Sequence, residues 1–206
     1  MTILQPTHVD ALIFDLDGTL WDANLTYLMA WNNTITQAHP ELNLTLDALK
    51  SVMGWEQKAA WNQLFPQLTD PEWKALAVDI DKIQVELSRT KGGMLYPGVR
   101  EGIARLSKKY QLAIVSNCPE GLIPAFYDFS GMRSYFVDYE EHGRTHASKA
   151  ENIKMVVERN HLKNPIYIGD TDSDRKNATL AGVPFVYMTY GFAKITAPAA
   201  MEFDGF

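Results

Sequence analysis

Carboxylate, hydroxyl and amide side chains follow three short apolar runs of the sequence. They form three groups: Asp15 with Asp17, Ser116 with Asn117, and Asp170 with Asp172 and Asp174. If the runs are parallel strands, these groups converge at one edge of the sheet, where ligands bind in such folds. Carboxylates that meet in a partly desolvated cleft repel each other, and a divalent cation relieves that repulsion. Because the carboxylates offer only oxygen ligands, the sequence predicts a hard cation, Mg²⁺ rather than zinc.

Two other roles for these aspartates come from the sequence. The spacing of Asp170, Asp172 and Asp174 is that of the first ligands of a calcium loop, but Arg175 stands where that loop needs glycine. Ala181 stands where the loop needs its bidentate glutamate, so a calcium loop is rejected. Any single aspartate after a strand can also serve only as a helix cap.

The apolar runs that precede these groups have the composition of buried strands. They do not alternate with polar residues, which is typical of strands covered on both faces. The predicted strands are 11–14, 112–115, 135–137, 166–168 and 184–188. Helical periodicity predicts three helices between the strands. One begins near Val99, one follows Ser148 as its cap, and one runs from Ser173 and ends at Gly182. The alternation predicts an α/β fold with a doubly wound parallel-sheet (Rossmann-like) core.

Residues 22–95 interrupt this alternation, because they carry helical periodicity and no convincing strand run. We therefore expect a small α-helical cap, 22–95, inserted after the first strand of a core made of 1–21 and 96–206. All five tryptophans fall between Trp21 and Trp73. They could line a pocket for a leaving group, although aromatic side chains at helical spacing more often form the core of a bundle.

Composition excludes several classes of protein. The net charge of −6, from 19 basic and 25 acidic residues, argues against nucleic-acid binding. The single cysteine, Cys118, excludes an intrachain disulfide and a cysteine-rich metal cluster. There is no secretory signal pattern at the start and no apolar stretch of about 18 residues, so no membrane association is expected and a cytoplasmic location is predicted.

Four motifs, in order, resemble those of the haloacid dehalogenase-like phosphohydrolases. Residues 12–20, LIFDLDGTL, contain a DxDGT like that of the first motif, and Ser116 with Asn117 resembles the second. Lys149 resembles the third motif, and residues 169–174, GDTDSD, resemble the fourth, GDxxxD. The helical insert is similar to the cap of the branch that contains phosphoglycolate phosphatase and β-phosphoglucomutase.

The resemblance implies a role for each matching residue. Asp15 is the expected nucleophile, and Asp17 is the expected general acid and base. Phosphate is expected to bind Ser116, Asn117 and Lys149. The expected Mg²⁺ ligands are Asp15, Asp17 through its backbone carbonyl, Asp170 and Asp174, the last either through water or by orienting the other ligands.

Some of these assignments leave alternatives open. Lys149 is followed by Ala150 where many relatives have proline, so Arg144 or Lys154 could share its role. The family spacing favours Asp174 over Asp172. His142 and His146 are expected to be surface residues.

The predicted activity is a Mg²⁺-dependent phosphatase that acts on a small phosphorylated metabolite. The aspartate at position 17 disfavours carbon–halogen and phosphonate chemistry within the family. A phosphomutase is the first alternative, but the insert is acidic overall, with six basic and nine acidic residues, and Arg89 is its only arginine. A non-catalytic domain that binds a phosphometabolite or a partner is the second. The oligomeric state is left open.

Overall fold

A six-stranded sheet forms the centre of the protein in the computed structural model, which describes residues 9–55 and 57–206. In the described residues, the strands are β1 (Ala11–Phe14), β2 (Trp21–Asp22), β3 (Met94–Leu95), β4 (Gln111–Ser116), β5 (Asp138–Glu141), β6 (Pro165–Gly169), β7 (Phe185–Met188) and β8 (Met201–Phe203). The large sheet has the order β5-β4-β1-β6-β7-β8, and each pair of neighbours is parallel. β1 therefore lies in the middle, which places the residues that follow it between the ends of β4 and β6.

Helices cover both faces of this sheet. The described helices are α1 (Asn24–Ala38), α2 (Leu46–Ser51), α3 (Gln57–Leu64), α4 (Asp70–Thr90), α5 (Val99–Leu106), α6 (Leu122–Ser130), α7 (His142–Thr145), α8 (Lys149–Arg159) and α9 (Asp172–Ala181). Alternate residues of β1 point to opposite faces: Leu12 packs in a cluster with Ile103 and Phe126, and Ile13 in a second cluster with Ile153. The doubly wound α/β core is thus confirmed. Among the described residues, no helix is long and apolar enough to cross a membrane.

Three of the described helices, α4, α8 and α9, begin with capping boxes, and the caps of α8 and α9 place residues of interest. Ser148 accepts a hydrogen bond from the backbone of Glu151, so α8 starts at Lys149. Thr171 does the same with Asp174, so α9 starts directly after β6. Gly182 ends α9 in the left-handed conformation, at φ 75°. The predicted start of α8 and the predicted stop of α9 are confirmed, and α9 starts one residue before the predicted Ser173.

The helices α1 to α4 follow β1 as a separate layer over the carboxyl end of the sheet. β2 and β3 pair antiparallel at the point where the chain leaves and re-enters the core. Three indoles stack inside this layer, with ring centroids 4.7 Å apart for Trp31 and Trp61 and 5.9 Å apart for Trp61 and Trp73. The helical cap inserted after the first strand is confirmed.

Three features of the sheet differ from the prediction. The predicted strand 135–137 is wrong, because Arg133–Tyr135 form a short 3-10 helix and the strand is β5, Asp138–Glu141. β5 was missed because it is acidic and has no apolar run. Its buried Glu140 forms an ion pair with Arg144 instead of contributing to the apolar core. The ribbon of β2 with β3, and the exposed edge strand β8, were not predicted, because such short strands carry no periodic signal.

Candidate active site

Asp15 lies at the carboxyl end of β1 in direct contact with a buried lysine. Its backbone N–H donates to the carbonyl of Ile168 at 2.8 Å, which continues the ladder to β6 and fixes the side chain over the sheet edge. The Nζ of Lys149 donates to Oδ1 of Asp15 at 3.0 Å and to Oδ1 of Asp174 at 2.7 Å. All three side chains are almost fully buried. One ammonium group therefore joins the ends of β1, α8 and α9.

The carboxylate of Asp170 is enclosed by hydrogen-bond donors and by two glycines. Its Oδ1 accepts from the Thr19 hydroxyl at 3.3 Å, and its Oδ2 accepts from the backbone N–H of Phe192 at 2.7 Å. A Cβ added at Gly18 or at Gly191 would lie within 2.4 Å of an atom of the Asp170 side chain. Glycine at these two positions therefore makes room for the carboxylate, and at Gly18 it also permits a φ of +82°.

The carboxylates of Asp15, Asp170 and Asp174 form a group that could hold a metal ion. Each offers an oxygen, and these oxygens lie within 4.8 Å of one another. Burial, followed by the neighbouring Asp174, raises the pKa of Asp15 to about 6. Burial and the charges of Asp174 and Asp15 also raise the pKa of Asp170 well above its ordinary value. Because Lys149 supplies one positive charge to three close carboxylates, a divalent cation fits this oxygen-only donor set.

The pKa of Lys149 shows how strongly this group of carboxylates favours positive charge. Burial alone would lower the pKa of the ammonium, but the charges of Asp15 and Asp174 outweigh burial and raise it. The lysine therefore stays protonated at neutral pH. Asp174 also accepts from the Thr171 hydroxyl at 2.7 Å, so each of its two oxygens has a protein donor.

Asp17 lies outside this group of carboxylates, and its side chain points toward the cap. Its Oδ1 accepts from the Tyr27 hydroxyl at 2.7 Å and from the indole N–H of Trp21 at 2.9 Å. Desolvation raises the pKa of Asp17 to about 7, even though the hydrogen bond from Tyr27 lowers it. A carboxyl group with such a pKa can both give and take a proton near neutral pH.

The other predicted site residues divide into those at the site and those away from it. Ser116, at the end of β4, and Asn117 both line the cavity above Asp15. Asp172 does not join the carboxylate group, because it bonds to Arg175 at 3.0 Å and to the backbone N–H of Thr196 at 3.1 Å.

The two alternatives to Lys149 also lie elsewhere. The Nε of Arg144 donates to Glu140 at 2.8 Å. Lys154 is exposed on α8. Of the three candidates, Lys149 is thus the one whose ammonium contacts Asp15.

A cavity of about 870 Å³ lies between the core and the cap. Its floor includes Asp15, Asp17 and Lys149, and its cap side includes Trp31, Trp55 and Trp61 among other residues. The tryptophans divide between the bundle core and the cavity wall, and their contact with a leaving group stays a prediction. Trp61 is 1% exposed and packs in the helical bundle, yet its ring borders the cavity, whereas Trp55 is 48% exposed and contributes little to the bundle.

Several cavity residues were not identified from the sequence. Tyr27, which bonds to Asp17, had only its place on the first cap helix as a signal. Asp81 is one of nine acidic residues of the insert, and nothing in the pattern distinguishes it. The prediction that His142 and His146 are surface residues is correct for His146, which is exposed, whereas His142 is half-buried. Both residues border the cavity.

Comparison with known proteins agrees with this geometry. Residues 12–188 match the sequence profile of the family described as haloacid dehalogenase-like hydrolase. A phosphoglycolate phosphatase from Rhodobacter capsulatus is 33% identical over 208 aligned positions, which span 95% of this chain and 93% of that protein. A haloacid dehalogenase-like hydrolase from Bacteroides fragilis superposes with a TM-score of 0.84 at 19% identity, covering 96% of this chain and 97% of that one.

A further solved structure extends the similarity in fold. CbbY from Rhodobacter sphaeroides, solved in complex with phosphate, superposes with a TM-score of 0.81 at 16% identity, covering 96% of this chain and 94% of that one. The two structural neighbours bear on the fold alone, whereas the family match and the 33% identical relative bear on the protein's class. The chain belongs to the haloacid dehalogenase-like hydrolase family and is one of its phosphatases.

Proposed function

We propose that this protein is a Mg²⁺-dependent phosphatase that cleaves a small phosphate monoester through an aspartyl phosphate on Asp15. The observation that carries the proposal is the contact of Lys149 with both Asp15 and Asp174 at the floor of a cavity that Asp17 also borders. A nucleophile, a fixed cation and a group of intermediate pKa thus surround one space.

The donor set of the site fits Mg²⁺. We assign Asp15, Asp170 and the backbone carbonyl of Asp17 as ligands, with Asp174 ligating through water or orienting the others. The cradle of two glycines around Asp170 supports its assignment, because a side chain at either position would displace the carboxylate. When bound, the cation would neutralise charge on the carboxylates and on the phosphoryl oxygens.

In the first step the carboxylate of Asp15 attacks phosphorus, and the bond between phosphorus and the leaving oxygen breaks. Lys149, held protonated by Asp15 and Asp174, balances negative charge on the transferring group. The hydroxyl of Ser116 and the backbone N–H groups near Asn117 donate to phosphoryl oxygens. Asp17, with a pKa of about 7, protonates the leaving alcohol.

In the second step Asp17 acts in the reverse direction. Its carboxylate removes a proton from a water molecule, which attacks phosphorus and releases Asp15. The hydrogen bonds from Tyr27 and Trp21 hold the same carboxylate oxygen during both steps. The protonated form of Asp17 is regenerated, so each cycle consumes one water.

Hydrolysis is favoured over phosphomutase chemistry by the position of Arg89. A mutase must hold a second phosphate while the first is transferred, and arginine is suited to that task. Arg89 instead donates from Nε to Asp128 of α6 at 2.9 Å and does not border the cavity. The cap therefore does not present its arginine to a substrate.

The test is phosphate release from a panel of phosphate monoesters, with Mg²⁺ and with EDTA. We include 2-phosphoglycolate, because the relative from Rhodobacter capsulatus carries that substrate in its name. Release that requires Mg²⁺ and is lost in Asp15→Asn supports the proposal, with Asp172→Asn as a control at an aspartate outside the carboxylate group. Release that persists in EDTA or in Asp15→Asn contradicts it.

A further inference from the structure

The cap wall of the cavity combines a patch of carbon surface with a few polar side chains. The indole N–H of Trp31 donates to Oε1 of Gln84 at 3.2 Å, so its polar edge is already occupied. The ring of Trp31 stacks on that of Trp61 with centroids 4.7 Å apart. Trp55 adds a third indole, and Val78 and Val85 of α4 border the same cavity. A flat, apolar leaving group is complementary to such a wall.

The charges of this wall disfavour an anionic leaving group. Asp81 of α4 borders the cavity, and its withdrawal from water raises its pKa to about 6. The cap-side cation, Lys82, has a side chain that is 72% exposed and lies 3.5 Å from Asp79. Among the described residues that border the cavity, none is an arginine. A carboxylate on the leaving group would thus face Asp81 without a dedicated partner.

The core side of the cavity offers a hydrogen-bond acceptor as well. The Nδ1 of His142 lies 2.8 Å from the backbone carbonyl of Ala147. Because a carbonyl oxygen can only accept, this ring donates from Nδ1, and in its neutral form Nε2 is left as an acceptor. His142 and Asp81 therefore both suit a substrate that carries a hydrogen-bond donor.

We propose that the substrate's leaving group is a flat, largely apolar alcohol with a hydrogen-bond donor and no anionic substituent, so that phosphoglycolate is a poor substrate. This inference rests on the proposed phosphatase function and gives its substrate class. The leaving group lies against Trp55 and Trp31, and its donor bonds to Asp81. Glycolate, the leaving group of 2-phosphoglycolate, is a small monoanion without an apolar ring, so it does not fit this description.

Benzyl phosphate and 2-phosphoglycolate test this inference directly, because both are phosphate esters of primary alcohols and differ in the group attached to the same carbon. We expect kcat/KM for benzyl phosphate to exceed that for 2-phosphoglycolate by about tenfold or more. A third ester, 4-carboxybenzyl phosphate, restores the anion on the aromatic ring and is expected to be about as poor as phosphoglycolate.

Two variants test whether the cap residues that border the cavity cause the preference for benzyl phosphate over the anionic esters. Trp55→Ala should lower the ratio of the two kcat/KM values, benzyl over glycolate, by about tenfold, because the exposed ring is lost without loss of core packing. Leu25→Ala is its control, since Leu25 is also on the cap and is 66% exposed but does not border the cavity. Asp81→Asn should raise kcat/KM for 4-carboxybenzyl phosphate about fivefold, with Asp79→Asn as the control from the same helix.

The outcomes separate the two proposals. Equal or faster cleavage of 2-phosphoglycolate, or an unchanged ratio in Trp55→Ala, overturns the inference and leaves the phosphatase function in place. Cleavage confined to monoesters whose leaving groups are neither flat nor apolar also overturns it. Absence of Mg²⁺-dependent release from every ester of the panel contradicts the phosphatase function, and the inference fails with it.

Discussion

The hydroxyl of Tyr27 donates to Oδ1 of Asp17 at 2.7 Å, which links the first helix of the cap to the proposed acid–base group. The indole N–H of Trp21 donates to the same oxygen at 2.9 Å. Both donors favour the ionised carboxylate, whereas desolvation favours the protonated form and raises the pKa of Asp17 to about 7. The position of the cap helix therefore helps to set the proton affinity of Asp17.

Tyr27→Phe should shift the pH profile of the enzyme to higher pH. Loss of the hydroxyl removes a donor that stabilises the ionised form, so the pKa of Asp17 rises and the acid stays protonated to higher pH. The descending limb of kcat/KM should move up by about one pH unit. The measurement is kcat/KM against pH with one monoester substrate.

The control for this prediction is Tyr135→Phe, a tyrosine of the 3-10 helix that does not border the cavity. Its profile should coincide with that of the wild type. A descending limb in Tyr27→Phe that is unmoved, or that moves to lower pH, would show that Tyr27 does not set the pKa of Asp17.

Lys149→Met should lower both kcat/KM and the free energy of unfolding. The substitution leaves Asp15 and Asp174 buried without their shared cation, which lies 3.0 Å and 2.7 Å from them. We expect kcat/KM to fall about 100-fold or more. The free energy of unfolding in EDTA, measured by denaturant titration, should fall by about 3 kcal/mol.

Lys154→Met is the matched control, because Lys154 lies on the same helix and is exposed. It should change neither quantity. Loss of activity in Lys154→Met with retention in Lys149→Met would reverse the assignment of the phosphate-binding lysine.

Asp170→Asn should weaken the binding of Mg²⁺, whereas Asp172→Asn should not. Asp170 belongs to the buried carboxylate group, whereas Asp172, the first residue of α9, is paired with Arg175 and Thr196. Substitution of a residue that hydrogen-bonds to a metal ligand lowers metal affinity about 10–100-fold. For the ligand Asp170 itself we therefore expect the affinity for Mg²⁺ to fall about 100-fold. Isothermal titration with Mg²⁺ measures it, and equal affinities in the two variants would refute the ligand assignment.

Gly191→Ala should disturb the same site without changing any charge. An added Cβ would meet the Cβ of Asp170 at 2.2 Å, so the carboxylate has to move. We expect the concentration of Mg²⁺ for half-maximal activity to rise about tenfold. Gly205→Ala, where an added Cβ meets no atom within 4 Å, should match the wild type. If Gly191→Ala reaches half-maximal activity at the same Mg²⁺ concentration as the wild type, the close contact between Gly191 and Asp170 does not position the carboxylate.

The sequence was sufficient to predict the parts of the fold that carry strong local patterns. The buried runs of β1, β4, β6 and β7 are apolar on both faces, and Ser148 and Gly182 mark a helix start and a helix end. β5 escaped prediction because it is acidic, and β8 because it has only three residues; both are edge strands, formed by pairing with a neighbour rather than by their own composition. Only the folded sheet shows where such a partner lies.

The candidate site was predictable to the extent that each residue follows a strand or begins a helix. Asp15, Asp170 and Lys149 meet this condition, and they converge as the sheet topology requires. Tyr27 and Asp81 reach the cavity from the cap, whose position over the core depends on packing across many elements. No spacing along the chain encodes that arrangement, so their roles emerged only from the structure.

The central claim is that Asp15 carries the phosphoryl group during turnover. Borohydride reduces an aspartyl phosphate to homoserine, so enzyme quenched with borohydride during turnover in Mg²⁺ can be digested and its peptides analysed by mass spectrometry. The account predicts homoserine at position 15, dependent on both substrate and Mg²⁺. Homoserine at another aspartate, or sustained phosphate release with Asp15 never modified, would contradict it.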